Sequence, residues 1–83
     1  MVKKSNRLQH PDRVKHFRET YDLSQRELGL LLGLTAACIS QWESGARLIP
    51  MASARLLRAL CDSSTLRKSV FKAEGLQHKL TDV

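Results

Sequence analysis

Two helix-sized segments separated by a two-residue turn constrain this chain more than any other feature. The first opens on Ser24-Gln25-Arg26-Glu27. That is a capping box, in which the Ser24 hydroxyl accepts from the Glu27 N–H and the Glu27 carboxylate reaches back to the Ser24 N–H. Leu28, Leu31 and Leu32 give this segment an apolar face, and Gly33 supplies the left-handed stop. Thr35, two residues on, is the N-cap of the second segment. Ile39 and Trp42 lie three apart and face the core, and Ser44-Gly45 closes the helix. The expected helices cover about 24–32 and 35–44. Helices this short, joined by so brief a turn, cannot lie flat and antiparallel and must cross steeply.

The flanking sequence is also helical. Pro11 suits a first helical position, Asp12 favours that end through the helix dipole, and Val14, Phe17 and Tyr21 share one face of a helix over about 11–21. Pro50 opens a fourth helix to about Cys61, with Leu56, Leu57 and Leu60 expected in the core. Asp62-Ser63-Ser64 reads as turn and cap chemistry, and a fifth helix over about 64–74 carries Leu66, Val70 and Phe71 before Gly75 weakens its continuation. β-Branched residues are too sparse for strands. The fold expected is all-α, in three parts: a flexible basic arm at 1–9 holding Lys3, Lys4 and Arg7, a helical core at 10–62, and a C-terminal helix and tail at 63–83.

Fourteen Lys and Arg oppose eight Asp and Glu, a net charge of +6 that attracts polyanions, nucleic acid first and anionic membrane second. The longest apolar run, 28–39, is short of a membrane span and is broken by Gly29, Gly33 and Thr35. The first 25 residues hold no signal-peptide stretch, and Cys38 and Cys61 form no C-x-x-C, which together predict a cytoplasmic protein. His10, His16 and His78 stand at no ligand spacing with either Cys, so neither metal nor cofactor is expected. No nucleophile–base set and no phosphate loop is present, which argues against an enzyme.

Residues 24–45, SQRELGLLLGLTAACISQWESG, resemble the Cro/XRE-type helix-turn-helix of phage repressors and small bacterial regulators, and the likeness runs from about residue 14 to 60. It implies a compact five-helix, lambda-repressor-like bundle with a central helix-turn-helix. It puts the second helix of the pair in the major groove, with Thr35, Ala36, Ala37, Ser40 and Gln41 outward as base contacts. That helix has no Lys or Arg. Gln41 can bond adenine N6 and N7, and Ala36 and Ala37 either approach thymine methyls or serve only as good helix formers. Such a surface favours A·T pairs and DNA shape. Affinity then falls to phosphate contacts, which the resemblance assigns to Gln25, Arg26 and Thr35, with Arg47 after a loop one residue longer than the usual pattern. Lys3, Lys4 and Arg7 either follow the DNA backbone or stay solvated. The likeness also implies a bidentate, partly buried ion pair between Arg18 and Glu43. Gly29 stands where the family usually carries Ala, at a point where the two helices touch.

The function implied is a sequence-specific, double-stranded DNA-binding transcriptional regulator. A homodimer on a two-fold operator is expected, acting as an (auto)repressor of a phage or mobile-element operon. Leu66, Val70, Phe71 and Ala73, continued by Leu76 and Leu80, form a stripe that is either the dimer interface or further core. The alternative is an antitoxin-like or bridging adaptor that uses the C-terminal helix to hold a protein partner such as a toxin. RNA binding lacks an aromatic stacking platform, since Trp42 is needed inside. Membrane binding lacks a Trp on the C-terminal helix, which Gly75 interrupts. Arg55, Arg58, Arg67, Lys68 and Lys72 form a solvated face or add phosphate contacts.

Overall fold

In a computed structural model the described residues are 7–80, and among them the chain forms five α-helices, two 3-10 turns and no strand. α1 is Pro11–Thr20, α2 Gln25–Leu32, α3 Ala36–Ser44, α4 Met51–Asp62 and α5 Ser64–Ala73. Local chemistry sets most of these ends. The Asp12 N–H donates to His10 Nδ1 at the start of α1. Both arms of the capping box close on α2, Glu27 N–H to Ser24 Oγ at 3.0 Å and Ser24 N–H to Glu27 Oε1 at 2.8 Å. Thr35 Oγ1 accepts from the Cys38 N–H at 3.2 Å, and Ser63 Oγ from the Leu66 N–H at 3.1 Å. Gly33 (φ 74°) and Gly45 (φ 80°) end α2 and α3 in the left-handed region.

The core lies where all five helices converge. α1 contributes Val14 and Phe17, α2 Leu28 and Leu31, α3 Ile39 and Trp42, and α4 Ala54, Leu57 and Leu60, each nearly or fully buried. Ile49, in the loop before α4, is buried with them. No polar or charged residue among those described is fully buried. α2 and α3 pack on each other, and α3 also lies against α1, so the pair is seated on the bundle through α3.

Three expectations need correction. Leu56 does not enter the core. It is 37% exposed, because the buried face of α4 follows Ala54, Leu57 and Leu60 and Leu56 falls beside it. The arm does not extend to residue 9. Arg7–Gln9 forms a 3-10 turn against α4, with Leu8 packed on the core and Gln9 Nε2 donating to the Ile49 carbonyl at 2.8 Å. Lys3 and Lys4 lie outside the described residues. The stripe on α5 is largely core. Phe71 is fully buried, with its ring centroid 5.5 Å from Tyr21 and 6.4 Å from Phe17, and Leu76 is 6% exposed. Burying a ring of this size contributes about 1.5–3 kcal/mol, so the core of the chain itself accounts for Phe71 and leaves it no exposed surface to offer a second copy. Leu66, Val70 and Leu80 rest half-buried on the same core, and Ala73 is exposed.

Candidate nucleic-acid interface

α3 presents two faces set by helical spacing. Ile39 and Trp42 point into the bundle, while Ala37, Ser40, Gln41 and Ser44, at i, i+3, i+4 and i+7, are exposed. Thr35 is exposed at the N-terminal end, and Ala36 is half-buried. The Gln41 carbonyl is occupied by the Arg47 N–H at 3.2 Å and by Ser44 Oγ–H at 3.1 Å. Its side-chain amide makes no hydrogen bond within the described residues, so a donor and an acceptor stand free side by side. The Thr35 hydroxyl accepts the cap bond from the Cys38 N–H and keeps its proton to donate. Ser44 was not among the residues expected to face outward, although the periodicity that selects Ala37 and Gln41 reaches it. Its hydroxyl instead serves the backbone, accepting from the Ala46 N–H at 3.3 Å and holding the chain that leaves α3.

The turn between the helices brings their backbones unusually close. A Cβ at Gly29 would meet the Leu34 carbonyl oxygen at 2.5 Å, and the Leu34 N–H donates to the Gly29 carbonyl at 2.7 Å. The helix propensity that Gly forfeits is returned as a tighter crossing.

An ion pair fixes α3 against α1. Arg18 Nε donates to Glu43 Oε2 at 2.7 Å and Nη2 to Oε1 at 3.0 Å, the parallel two-point geometry of a guanidinium on a carboxylate. Arg18 Nη1 also donates to the Leu23 carbonyl at 3.1 Å, which ties in the loop before α2. The two side chains are 20% and 9% exposed. Burial pushes the Glu43 carboxyl up, but hydrogen bonds from Arg18 and Gln25 outweigh it and leave it below the ordinary value. The hydrogen bond to Glu43 in turn raises Arg18 above its ordinary value, against a smaller opposing effect of burial.

The phosphate-side residues separate on inspection. Gln25 Nε2 donates to Glu43 Oε1 at 3.3 Å, so its amide is drawn into the ion-pair cluster, 18 residues away in sequence, and keeps only its remaining donor and acceptor for other partners. Arg26 and Arg47 are exposed with no ion pair among the described residues. Of the first four N–H groups of α2, Glu27 is capped by Ser24 and Leu28 donates to the Ser24 carbonyl, which leaves those of Gln25 and Arg26 unused. Arg7 belongs to the 3-10 turn beside α4 and not to a free arm.

Lys79 was not singled out by the sequence. Its Nζ donates to the Asp22 carbonyl at 2.7 Å and lies 3.6 Å from Glu27 Oε1, which ties the C-terminal 3-10 turn Gln77–Leu80 to the start of α2. No groups of His, Cys, Asp and Glu able to hold a metal ion occur among the described residues, and no helix there is long and apolar enough to cross a membrane.

A family model described as helix-turn-helix matches residues 14–66, more than half of the chain. No curated protein and no solved structure matches it. With that match laid over a capped α2, a close turn at Gly29 and an α3 clamped by Arg18 and Glu43, the chain belongs to the Cro/XRE-type helix-turn-helix family of DNA-binding transcriptional regulators.

Proposed function

We infer that this regulator reads double-stranded DNA by laying α3 in the major groove, with Gln41 as the principal base contact and Ala37, Ala36, Ser40 and Thr35 close to the base edges. The observation that carries this reading is the outer face of α3. It is exposed, uncharged and small, with a free amide at its middle, and it is held by a clamp at one end and a close turn at the other. Rigid support of this kind is what a groove-reading element requires. Phosphates would then be met by the free N–H groups of Gln25 and Arg26, the Thr35 hydroxyl, and the Arg26 and Arg47 side chains.

We place the protein on a two-fold operator as a dimer, repressing an operon of a phage or mobile element. The dimer surface we assign is the apolar surface that the core leaves over on the last two helices: Leu66, Val70 and Ala73 on α5 and the exposed Leu56 on α4. The adaptor reading would use the same stripe after residue 64, and the burial of Leu76 narrows it just as the burial of Phe71 narrows the dimer surface.

The test is binding to the DNA upstream of its own gene and to scrambled DNA of equal length, across a salt series. The expected result is a specific affinity roughly 10³-fold or more above the non-specific one, falling steeply with salt, with a two-fold footprint lost in Gln41→Ala. Equal affinity for both DNAs, unchanged by Gln41→Ala, overturns the assignment of α3.

A further inference from the structure

Away from α2 and α3, the 3-10 turn Arg7–Gln9, α1 and α4 enclose a cleft of about 370 Å³ lined by Arg7, Leu8, Arg13 and Arg58. Three arginines thus line one small space. Like charges brought together cost energy, and counter-charge normally accompanies them. Here the counter-charge is scant. Arg58 Nε bonds Asp62 Oδ2 at 2.7 Å, one turn along α4, while Arg7 and Arg13 meet no carboxylate within ion-pair distance among the described residues. The pair on Arg58 is exposed, 53% and 62% on its two side chains, and so is readily exchanged for a stronger anion.

The walls are fixed independently of the arginines. Leu8 packs on the core and gives the cleft an apolar side, and Gln9 pins the turn to the Ile49 carbonyl. Arg13 is half-buried on α1, one residue from the fully buried Val14, so its stem is set by the helix. Planar forks held on rigid elements around a partly apolar hollow suit a tetrahedral anion with several acceptor oxygens.

We propose that the cleft between Arg7, Arg13 and Arg58 is a phosphate-binding site. Its ligand is a phosphate group, either free in solution or part of a DNA backbone lying beyond the segment that α3 reads. None of the lining residues belongs to α2 or α3, so the site stands whether or not the α3 reading does.

The experiment follows the arginine Nε–Hε signals of the full chain by NMR while inorganic phosphate is titrated against chloride at equal ionic strength. In parallel, the salt dependence of DNA binding is measured for the wild type, Arg7→Gln, Arg13→Gln and Arg7→Gln/Arg58→Gln. Saturable shifts of Arg7, Arg13 and Arg58 with phosphate, with Arg67 unmoved and the response weakened about tenfold in the variants, support the site with a free phosphate as its ligand. No saturable shift, but a slope of log affinity against log salt reduced by about 1 per arginine removed, supports it with a DNA phosphate. Shifts no larger than chloride produces, together with an unchanged salt slope or no DNA binding, overturn it. Should Arg13→Gln fail to fold, the Arg7→Gln/Arg58→Gln variant alters only exposed side chains and carries the test.

Discussion

A single methyl group at position 29 separates two effects that usually act together. Replacing Gly by Ala inside a helix stabilises by about 1 kcal/mol through backbone entropy alone. In α2 the added Cβ would sit 2.5 Å from the Leu34 carbonyl oxygen, a backbone atom that cannot swing aside without opening the turn. Overpacking of this kind costs about 1–3 kcal/mol. The steric cost therefore wins, and Gly29→Ala should lower the melting temperature by about 4–8 °C per kcal/mol of net loss, although Ala is the more usual residue in the family. A melting temperature equal to or above the wild type would show that the turn relaxes freely. Arg18→Ala is decided by what it leaves behind. It strands the Glu43 carboxylate, 9% exposed, with only the Gln25 amide as partner. The expected loss is about 2–3 kcal/mol, because the stranded charge keeps its desolvation cost. The double variant Arg18→Met/Glu43→Gln should recover part of it, and chemical denaturation of wild type, Arg18→Met, Glu43→Gln and the double variant tests the claim. Additive losses would mean that the pair is only a surface contact.

At the scale of elements, the C-terminal 3-10 turn is a strap on the α2 N-terminus. Lys79 reaches both the Asp22 carbonyl and the Glu27 carboxylate, and Glu27 is itself the returning arm of the capping box. Lys79→Met keeps the stem and removes the ammonium. It should cost about 1 kcal/mol, since a hydrogen bond from a charged group is lost at a partly exposed site. The first-turn amides of α2 should then exchange with solvent faster than those of α3. Equal acceleration in both helices would mean general loosening and not a local strap. The strap also marks the limit of what the sequence makes legible. Ser24 with Glu27, Gly33, Thr35 and Gly45 announce α2 and α3 because caps and left-handed stops are chemistry between near neighbours. The pairing of Arg18 with Glu43 followed from family likeness, not from spacing, since 25 residues separate them. Lys79 and Asp22 lie 57 residues apart, and nothing local to either points to the other. For a related reason the sequence misplaces Leu56 and leaves Phe71 open between core and dimer surface. Helical periodicity finds an apolar stripe, but which stripe meets the core depends on where neighbouring helices pack. Leu56 falls beside that contact and Phe71 within it, against Phe17 and Tyr21.

The whole molecule has a pH dependence that follows from where its acids sit. No polar or charged residue among those described is fully buried, so acid must act through partly buried groups. Two qualify. Glu43 is held below its ordinary value because the Arg18 and Gln25 hydrogen bonds outweigh the opposing effect of burial. Glu27 is held there chiefly by its bond to the Ser24 backbone N–H, with burial opposing and Lys79 assisting. Both carboxyls titrate near 4.5 once released on unfolding. Below that pH the unfolded chain takes up protons that the folded chain still refuses, so stability falls as pH falls. Both contributions are fully present above the unfolded value and disappear as pH drops through the lower folded values. Protonation also removes negative charge from a chain in which fourteen Lys and Arg already outnumber eight Asp and Glu, and the added self-repulsion acts in the same direction. The melting temperature should therefore be nearly level from pH 7 to about 5 and drop steeply below about 4.5. In Arg18→Met/Glu43→Gln the drop should be shallower, because one of the two linked carboxyls is gone and only Glu27 and the general repulsion remain. Parallel curves for the two proteins would show that the clamp on α3 contributes nothing to acid unfolding, which Glu27 and the general repulsion then drive between them.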